Sequence, residues 1–368
     1  MTLRHLSLVD FRCFADAELE PEPEGTTVLQ GENGTGKTTF LEAVAYLGTR
    51  RSFRGASREL MVRHGAERAV IRAELDRDGR RLLVEAELAT AGRSRTQLNR
   101  QPVRDARELA RAAPATMFSP DDLALVQGPP AGRRELLDDT LRIVDPVGAR
   151  VLVDIERILR QRTALLRRAG GRLHPDVEMT LDVWDDRLGA AGTALTAARA
   201  ALLAELSPWV ARAYADLAGG PGGPDGPAVH LAYRPSWEGD LGAALLEHRP
   251  EDVRRGVTSV GPHRDDVAIG LSGRDARTQA SQGEQRSVAL ALRLAVHALV
   301  TEREGAAPIL LLDDVFSELD PARSRALVAQ LPPGQTLLTT ASPLPPGIEV
   351  ARVVEAAALG RRPAGGSP

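Results

Sequence analysis

The segment GENGTGKT at residues 31–38 decides how this chain folds. It follows the short apolar run TVLQ and precedes TFLEAVAYLG, whose apolar spacing predicts a helix. Strand, glycine loop and helix in this order satisfy the phosphate-loop pattern G-x-x-x-x-G-K-[ST] through Gly31, Gly36, Lys37 and Thr38. The backbone N–H groups of such a loop and the N-terminus of the following helix attract phosphate. The chain is therefore predicted to have an α/β core of the P-loop type that binds a nucleotide.

The phosphate loop predicts ATP and Mg²⁺ as cofactors. Lys37 is expected to reach the β- and γ-phosphates and to assist catalysis, and the Thr38 hydroxyl to bind Mg²⁺. Lys37 is the single lysine among 47 basic residues, as expected where a compact ammonium is required and a planar guanidinium does not substitute for it. The predicted nucleotide-binding residues of this segment are Gly31, Glu32, Asn33, Gly34, Thr35, Gly36, Lys37, Thr38 and Thr39.

A second apolar segment ends in two carboxylates. Residues 308–314 read PILLLDD, which is typical of a strand that is buried on both faces and whose end meets the nucleotide. Asp313 is predicted to be the Walker B acid, which holds Mg²⁺ through water. Asp314 is predicted to be the catalytic carboxylate that orients or deprotonates the attacking water.

A predicted helix carries a third motif. Residues 281–300 read SQGEQRSVALALRLAVHALV, and Ser281, Gly283 and Gln285 open the helix. This start resembles the signature motif of ABC ATPases, with Gln282 in place of the usual first glycine. A serine and a glycine backbone at a helix N-terminus are good donors to an incoming γ-phosphate, so all three residues are predicted to bind ATP.

The order of the motifs along the chain identifies a class of protein more specifically than any single motif does. SELD at 317–320 resembles a D-loop, and the strand TLLTT at 336–340 ends where the switch residue of ABC ATPases lies. The complete series resembles that class. In ABC ATPases the signature of one subunit completes the ATP site of the other, so the resemblance implies a homodimer that forms with ATP.

A long insertion separates the two halves of the predicted ATP site. Apolar residues recur at helical spacing from Val151 to Leu166, and a second segment from Leu181 to Trp209 has them seven apart. Two antiparallel helices joined by a Gly/Pro turn are predicted. The expected domains are an ABC ATPase core (lobe I) at 1–145 and 225–360, an inserted, mainly helical arm (lobe II) at 146–224, and a disordered tail at 361–368.

Two groups of arginines are candidates for contact with DNA. The formal net charge is -3, so any surface for a polyanion must be local. A solvated basic face explains the arginines of the arm equally well. The candidates are Arg51 and Arg54, just beyond the phosphate-loop helix, and Arg160, Arg162, Arg167 and Arg168, near the turn of the arm.

The composition excludes several classes of protein. A single cysteine, Cys13, excludes an internal disulfide and a zinc cluster, and it fits a reducing compartment. The N-terminus lacks the pattern of a signal peptide, and the sequence has no apolar stretch long enough to span a membrane. A cytoplasmic protein with no membrane partner is expected.

Further motifs make the resemblance more specific. LVDFRCF begins at residue 8, FSPDDLALVQGPPAGRRELLD at residue 118 and GPHRDD at residue 261. With the ATP motifs, they resemble the RecF family of SMC-related ABC ATPases over nearly the whole chain. The resemblance implies ATP-dependent dimerisation on DNA and weak, DNA-stimulated, Mg²⁺-dependent ATP hydrolysis. It also implies cooperation with RecO and RecR proteins in loading RecA at single-stranded gaps, and a role in replication-fork repair and SOS induction.

Two other classes of ATPase compete with this interpretation. A transporter ATPase would need a short insertion, which the long helical arm and GPHRDD disfavour. An SMC-type clamp that closes on ATP and hardly hydrolyses it stays open, because Asp314 stands where glutamate is common. The preferred DNA structure, whether single-stranded, gapped or branched, also stays open, because arginine contacts to the backbone are independent of sequence.

Overall fold

The computed structural model describes residues 1–103, 105–218 and 228–360. Contacts divide the chain into two units, each assembled from separate stretches. The first contains Met1–Leu123, Arg212–Gly226 and Ser281–Pro368, and the second contains Ala124–Ala211 and Pro227–Ala280. The predicted tail at 361–368 lies outside the described residues.

The described residues form strands and helices that are numbered along the chain. The strands are β1 (Thr2–Phe11), β2 (Phe14–Leu19), β3 (Gly25–Gln30), β4 (Arg68–Arg77), β5 (Arg80–Ala89), β6 (Arg95–Leu98), β7 (Gln101–Pro102), β8 (Ala115–Phe118), β9 (Val229–Arg234), β10 (Asp266–Leu271), β11 (Arg274–Asp275), β12 (Ile309–Asp313), β13 (Gln335–Thr340) and β14 (Val350–Glu355). The helices are α1 (Lys37–Thr49), α2 (Arg58–Met61), α3 (Ala106–Ala112), α4 (Ala124–Gln127), α5 (Pro130–Val144), α6 (Pro146–Ala169), α7 (Pro175–Leu217), α8 (Leu241–Arg255), α9 (Ala276–Gln279), α10 (Gln282–Glu304), α11 (Pro321–Gln330) and α12 (Ala356–Leu359). Short 3₁₀ helices occupy Pro120–Leu123 and Val315–Glu318.

The first unit contains an antiparallel sheet with the strand order β2-β1-β4-β5-β6-β7. Strand β4 shows why these segments form strands with one buried face. Ala69, Ile71, Ala73 and Leu75 alternate with more exposed residues, and all four are at most 1% exposed. This buried face contributes to a large apolar core.

A parallel sheet with the order β14-β3-β13-β12-β8 completes the first unit. Every residue of β12 is buried, as the apolar run before Asp313 predicted, and every residue of β13 is buried too. Helix α1 contacts strands of both sheets, which explains why nearly every residue of this helix is buried. Only β13 lies between the parallel strands β3 and β12. Gly31 and Asp313, at the carboxyl ends of these strands, therefore lie at the same edge of the sheet.

The second unit combines helices with the antiparallel sheet β11-β10-β9. Helices α6 and α7 are separated by residues 170–174, and Gly170 ends α6 in the left-handed conformation. Arg162 is bonded to Asp185, and Leu166 and Leu181 share one apolar cluster. These two pairs run in opposite directions along the helices, so α6 and α7 form the antiparallel pair that was predicted.

The second unit is larger than the arm predicted at 146–224, because α5, α8, β9 and β10 belong to it. Ion pairs join these elements. Arg133 on α5 donates to Asp266 on β10 (2.7 Å), and Arg199 on α7 donates to Asp138 on α5 (2.7 Å). Both pairs join residues distant in sequence, which helical spacing alone does not reveal.

Among the described residues, no helix combines the length and apolar character that a membrane span requires.

Candidate nucleotide site

The phosphate loop links β3 to α1 through a backbone that only glycine adopts readily. Gly34 and Gly36 have φ angles of 86° and 92°. Gly36 is also enclosed: a Cβ at this position would lie 2.6 Å from the Phe14 ring and 2.8 Å from Cys13 Sγ. The turn between β1 and β2 therefore packs directly against the loop. Of the other predicted residues, Glu32, Asn33 and Gly34 are exposed, Gly31, Thr35 and Thr38 are partly buried, and Thr39 is buried.

Lys37 is held inside the phosphate loop. Its side chain is buried, and Nζ donates hydrogen bonds to the carbonyl oxygens of Gly31 (2.6 Å) and Glu32 (2.8 Å). The loop is closed on itself by Thr35 Oγ1, which donates to the Glu32 carbonyl at 2.8 Å. The ammonium and the backbone N–H groups of such a loop together offer positive potential to a phosphate.

Asp313 joins three segments at the edge of the parallel sheet. Its Oδ1 accepts hydrogen bonds from Thr38 Oγ1 and Thr339 Oγ1, both at 2.7 Å. Burial raises the pKa of Asp313, while the two hydroxyl groups and the nearby Arg54 guanidinium oppose that rise. The buried carboxylate and the Thr38 hydroxyl thus place two hard oxygen atoms beside the phosphate loop.

Asp314 adopts a left-handed backbone conformation, with a φ angle of 47°. Its N–H group donates to the carbonyl and hydroxyl oxygens of Thr339, each at 3.1 Å. Unlike Asp313, its side chain is partly exposed. A strained backbone at a non-glycine residue costs on the order of 1–3 kcal/mol and is concentrated at functional sites. The structure therefore directs the two adjacent carboxylates differently, one into the sheet edge and one toward solvent.

The predicted signature residues form the N-terminus of α10. Ser281 and Glu284 form a capping box, in which Ser281 Oγ accepts from the Glu284 N–H group and Glu284 Oε2 accepts from the Ser281 N–H group. Gln285 is buried. The Arg323 guanidinium packs against Gly283, where an added Cβ would be only 2.7 Å from Arg323 Nη1. Arg323 also donates to Ser287 (3.1 Å) and contacts Asp320. Arg323 therefore joins the signature helix to the D-loop by hydrogen bonds within the first unit.

Five of the six predicted DNA-contact arginines are exposed. They are Arg51, Arg54, Arg160, Arg167 and Arg168.

Arg162 requires a correction, because it is fully buried. It donates to Asp185 and Asp252, each at 2.7 Å, and to Thr258 at 2.9 Å. A buried guanidinium with these partners stabilises the packing of α6, α7 and α8, so Arg162 is not a DNA-contact residue. The prediction was wrong because the arginines do not share one face of α6: helical rotation turns Arg162 inward.

Sequence patterns did not reveal the residues that support the loop from outside it. Phe14 and Cys13 pack against Gly36, and Glu42 on α1 binds Arg12 from the same β1–β2 turn. Only one local signal was present: a glutamate inside the otherwise apolar segment TFLEAVAYLG needs a buried partner.

A phosphate loop, a Walker B strand and a signature helix built on parallel and antiparallel sheets define an ABC-type ATPase fold. Comparisons with known proteins agree. The model of the family described as the RecF/RecN/SMC N-terminal domain matches residues 2–336. The DNA replication and repair protein RecF of Frankia alni is 43% identical, with 93% of each chain covered. The protein of the same name from Streptomyces avermitilis is 44% identical, covering 93% of this chain and 94% of its own. This chain belongs to the RecF family.

Solved structures resemble the chain in the same way. The structure of the recombination mediator protein RecF-ATP in the RecFOR pathway has a TM-score of 0.83 at 25% identity and covers 93% of this chain and 92% of its own. An SMC head bound to the C-terminal winged-helix domain of ScpA has a TM-score of 0.53 at 17% identity and covers 93% of this chain and 90% of its own. The SMC likeness extends to the fold alone.

Proposed function

We propose that this chain is an ATP-dependent DNA-binding protein of recombinational DNA repair and replication, and a weak, DNA-stimulated, Mg²⁺-dependent ATPase. The observation that carries the proposal is the convergence of Lys37, Thr38 and Asp313 at one edge of the parallel sheet. The relatives named DNA replication and repair protein support the cellular role.

The residues present fit a nucleotide with a divalent cation. The pKa of Asp313 is raised by burial, so its charge lacks full compensation within the protein, and a cation would supply it. Thr38 and Asp313 are the residues that would hold Mg²⁺, which would neutralise phosphate charge when bound. Residues 31–39 would bind the phosphates through backbone N–H groups and Lys37.

Asp314 is the proposed catalytic carboxylate. Its side chain is partly exposed, and its N–H group is hydrogen-bonded to two oxygen atoms of Thr339. The fixed backbone limits where the carboxylate can lie, which suits a group that orients a water molecule. A general base in such a position contributes roughly 10²- to 10⁴-fold to a rate.

ATP is proposed to drive formation of a homodimer through α10. Ser281, Gly283 and Gln285 lie at the N-terminus of this helix, where the backbone N–H groups favour an anion. In ABC ATPases, this end faces the nucleotide of the partner subunit. The signature residues of this chain would therefore complete the second copy's ATP site.

DNA is the proposed polyanionic partner. Arg51 and Arg54 of the first unit and Arg160, Arg167 and Arg168 of the proposed arm at 146–224 are exposed and suit contact with phosphates. RecR and RecO are the proposed protein partners, with RecA loading at gaps and SOS induction as later consequences and the cytoplasm as the location. The name RecFOR pathway of the similar structure supports this choice.

Single-turnover ATP hydrolysis with and without DNA tests the proposal. Asp314→Asn is expected to bind ATP, dimerise and hold DNA longer, while hydrolysis falls roughly 10²- to 10⁴-fold. Asp78→Asn is the matched control, since Asp78 is 76% exposed in its side chain and lies in the β4–β5 turn. A wild-type protein that closes on DNA with ATP but shows no turnover would indicate the SMC-type clamp instead.

A further inference from the structure

Glu42 is a buried carboxylate with no part in the proposed chemistry. It lies on α1, one turn after Thr38, and is 0% exposed. Arg12 donates to it twice, from Nε to Oε2 at 2.7 Å and from Nη2 to Oε1 at 2.5 Å. Ser52 donates a third hydrogen bond through its hydroxyl group. Because a buried carboxylate is costly without partners, these three hydrogen bonds fix Glu42, and Glu42 fixes Arg12 and Ser52 in return.

The Arg12 side of this contact leads to the phosphate loop. Arg12 has a left-handed backbone (φ 55°), and its Nη1 donates to the Leu60 carbonyl at 2.9 Å. The next two residues, Cys13 and Phe14, fill the space around Gly36. Any shift of the Arg12 backbone therefore moves the wall of the loop that is proposed to bind phosphate.

The Ser52 side leads to the exposed arginines. Ser52 Oγ accepts the N–H group of Arg54 at 3.2 Å, while its own hydroxyl hydrogen goes to Glu42. Thr49 fixes the start of this segment through bonds with the N–H and carbonyl groups of Arg51, at 3.2 and 3.1 Å. We call residues 49–55 the arginine loop. Ser52 joins the backbone of this loop to Glu42.

We propose that Glu42 is a positioning residue that couples the arginine loop to the phosphate loop, through Ser52 on one side and Arg12 on the other. The inference deepens the proposed function, on which it rests: an anion on the arginine loop, a DNA phosphate in that function, alters ATP turnover through this series of contacts. The same contacts can carry a displacement in either direction, so ATP is expected to alter the arginine loop as well.

The deciding variant is Ser52→Ala, which removes the hydrogen bond to Glu42 and leaves the residues of α1 and of the phosphate loop unchanged. At saturating DNA, its fold-stimulation of kcat is expected to fall roughly 2- to 30-fold, while KM for ATP and turnover without DNA stay at wild-type values. Ser52→Thr keeps the hydroxyl group and is expected to restore stimulation. Ser94→Ala is the matched control, because Ser94 Oγ likewise accepts a backbone N–H group, from Ala89 at 3.2 Å, outside this series.

Glu42→Gln tests the central residue. It is expected to lose stimulation as Ser52→Ala does and, in addition, to raise KM for ATP, because Arg12 loses its ionic partner and the turn beside Gly36 loosens. Loss of stimulation with an unchanged KM in Ser52→Ala, and with a raised KM in Glu42→Gln, indicates coupling. A merely structural defect would change both KM and the kcat measured without DNA in both variants.

Hydrogen exchange supplies a measurement that needs no DNA. ATP is expected to increase protection of residues 49–55 in the wild type and in Ser94→Ala, but not in Ser52→Ala. If Ser52→Ala keeps full DNA stimulation and full ATP-dependent protection of the arginine loop, the coupling is refuted while the proposed function stands. A wild-type protein that neither binds nor hydrolyses ATP refutes the proposed function itself, and the coupling with it.

Discussion

Thr38 and Asp313 are 275 residues apart in sequence, yet Thr38 Oγ1 donates a 2.7 Å hydrogen bond to Asp313 Oδ1. The bond joins the first turn of α1 to the end of β12 and brings the two predicted Mg²⁺ ligands into contact. Because Thr339 donates to the same oxygen, the carboxylate is fixed from two sides. The protein's own hydrogen bonds therefore fix the two predicted ligands relative to each other.

Replacing Asp313 by Asn is expected to stabilise the folded protein while weakening Mg²⁺-dependent ATP binding. Asparagine keeps the oxygen that accepts from Thr38 and Thr339. Burial raises the folded-state pKa of Asp313 above its unfolded value, so the folded state binds the proton more tightly. The stability associated with the protonated form is present below the unfolded pKa and is lost as pH rises through the folded pKa. The melting temperature of Asp313→Asn should exceed that of the wild type at pH 7, and the difference should shrink toward pH 4.

Asp275→Asn is a control of opposite sign for that experiment. Hydrogen bonds from the side chain and backbone of Thr278 lower the pKa of Asp275. Its contribution to stability is present above the unfolded pKa and is lost as pH falls through the folded pKa, so Asn should be less stable than wild type at pH 7. Equal melting temperatures for Asp313→Asn and wild type at every pH would contradict the interpretation of the buried carboxylate.

Lys37→Arg is expected to weaken ATP binding about 10- to 100-fold, the usual effect of losing a hydrogen bond to a charged group. Lys37 Nζ fits between two carbonyl groups at 2.6 and 2.8 Å in a buried position, where a planar guanidinium is too large. Titration with a fluorescent ATP analogue measures the affinity. Arg68→Lys on the exposed face of β4 is the control for the reverse exchange, and it should bind as wild type does.

Ser281→Arg is expected to leave ATP binding by the monomer intact and to abolish the ATP-dependent dimer. Arginine would obstruct the end of α10, but it would also remove an N-cap whose loss typically costs about 1 kcal/mol. Ser281→Ala removes the hydroxyl group without adding bulk, so it separates loss of the cap from obstruction of the end of α10. Light scattering should show dimers of Ser281→Ala and monomers of Ser281→Arg, and an unchanged Ser281→Arg dimer would rule out the two-subunit ATP site.

Arg162→Gln is expected to lower the free energy of unfolding by about 3–5 kcal/mol, because it leaves buried carboxylates without their partner. Arg167→Gln and Arg168→Gln should fold normally and bind DNA more weakly. In a plot of the logarithm of the binding constant against the logarithm of salt concentration, the slope should become shallower by about 0.9 for each lost phosphate contact. Urea unfolding and DNA titrations at several salt concentrations measure the two effects. Wild-type stability of Arg162→Gln would contradict the structural role assigned to this residue.

The sequence predicted the local parts of the site better than its assembly. The phosphate loop, the apolar strand before Asp313 and the N-terminus of α10 each depend on a few consecutive residues with a specific backbone requirement, so their patterns are visible in the sequence. The contacts of Phe14 with Gly36 and of Arg162 with Asp252 depend on which elements become neighbours. No local pattern records that choice, which explains both the missed support of the loop and the wrong assignment of Arg162.

The position of β3 in its sheet has a consequence for how the protein is made. Both neighbours of β3 come from the far end of the chain, β13 at Gln335–Thr340 and β14 at Val350–Glu355. At typical rates of translation, about 15 to 60 s pass between synthesis of β3 and of its first partner. During that interval, the strand that carries the phosphate loop has no edge to pair with in its own sheet. A ribosome that stops before β13 therefore leaves this apolar strand exposed to chaperones and proteases, and it releases no fragment with a finished nucleotide site.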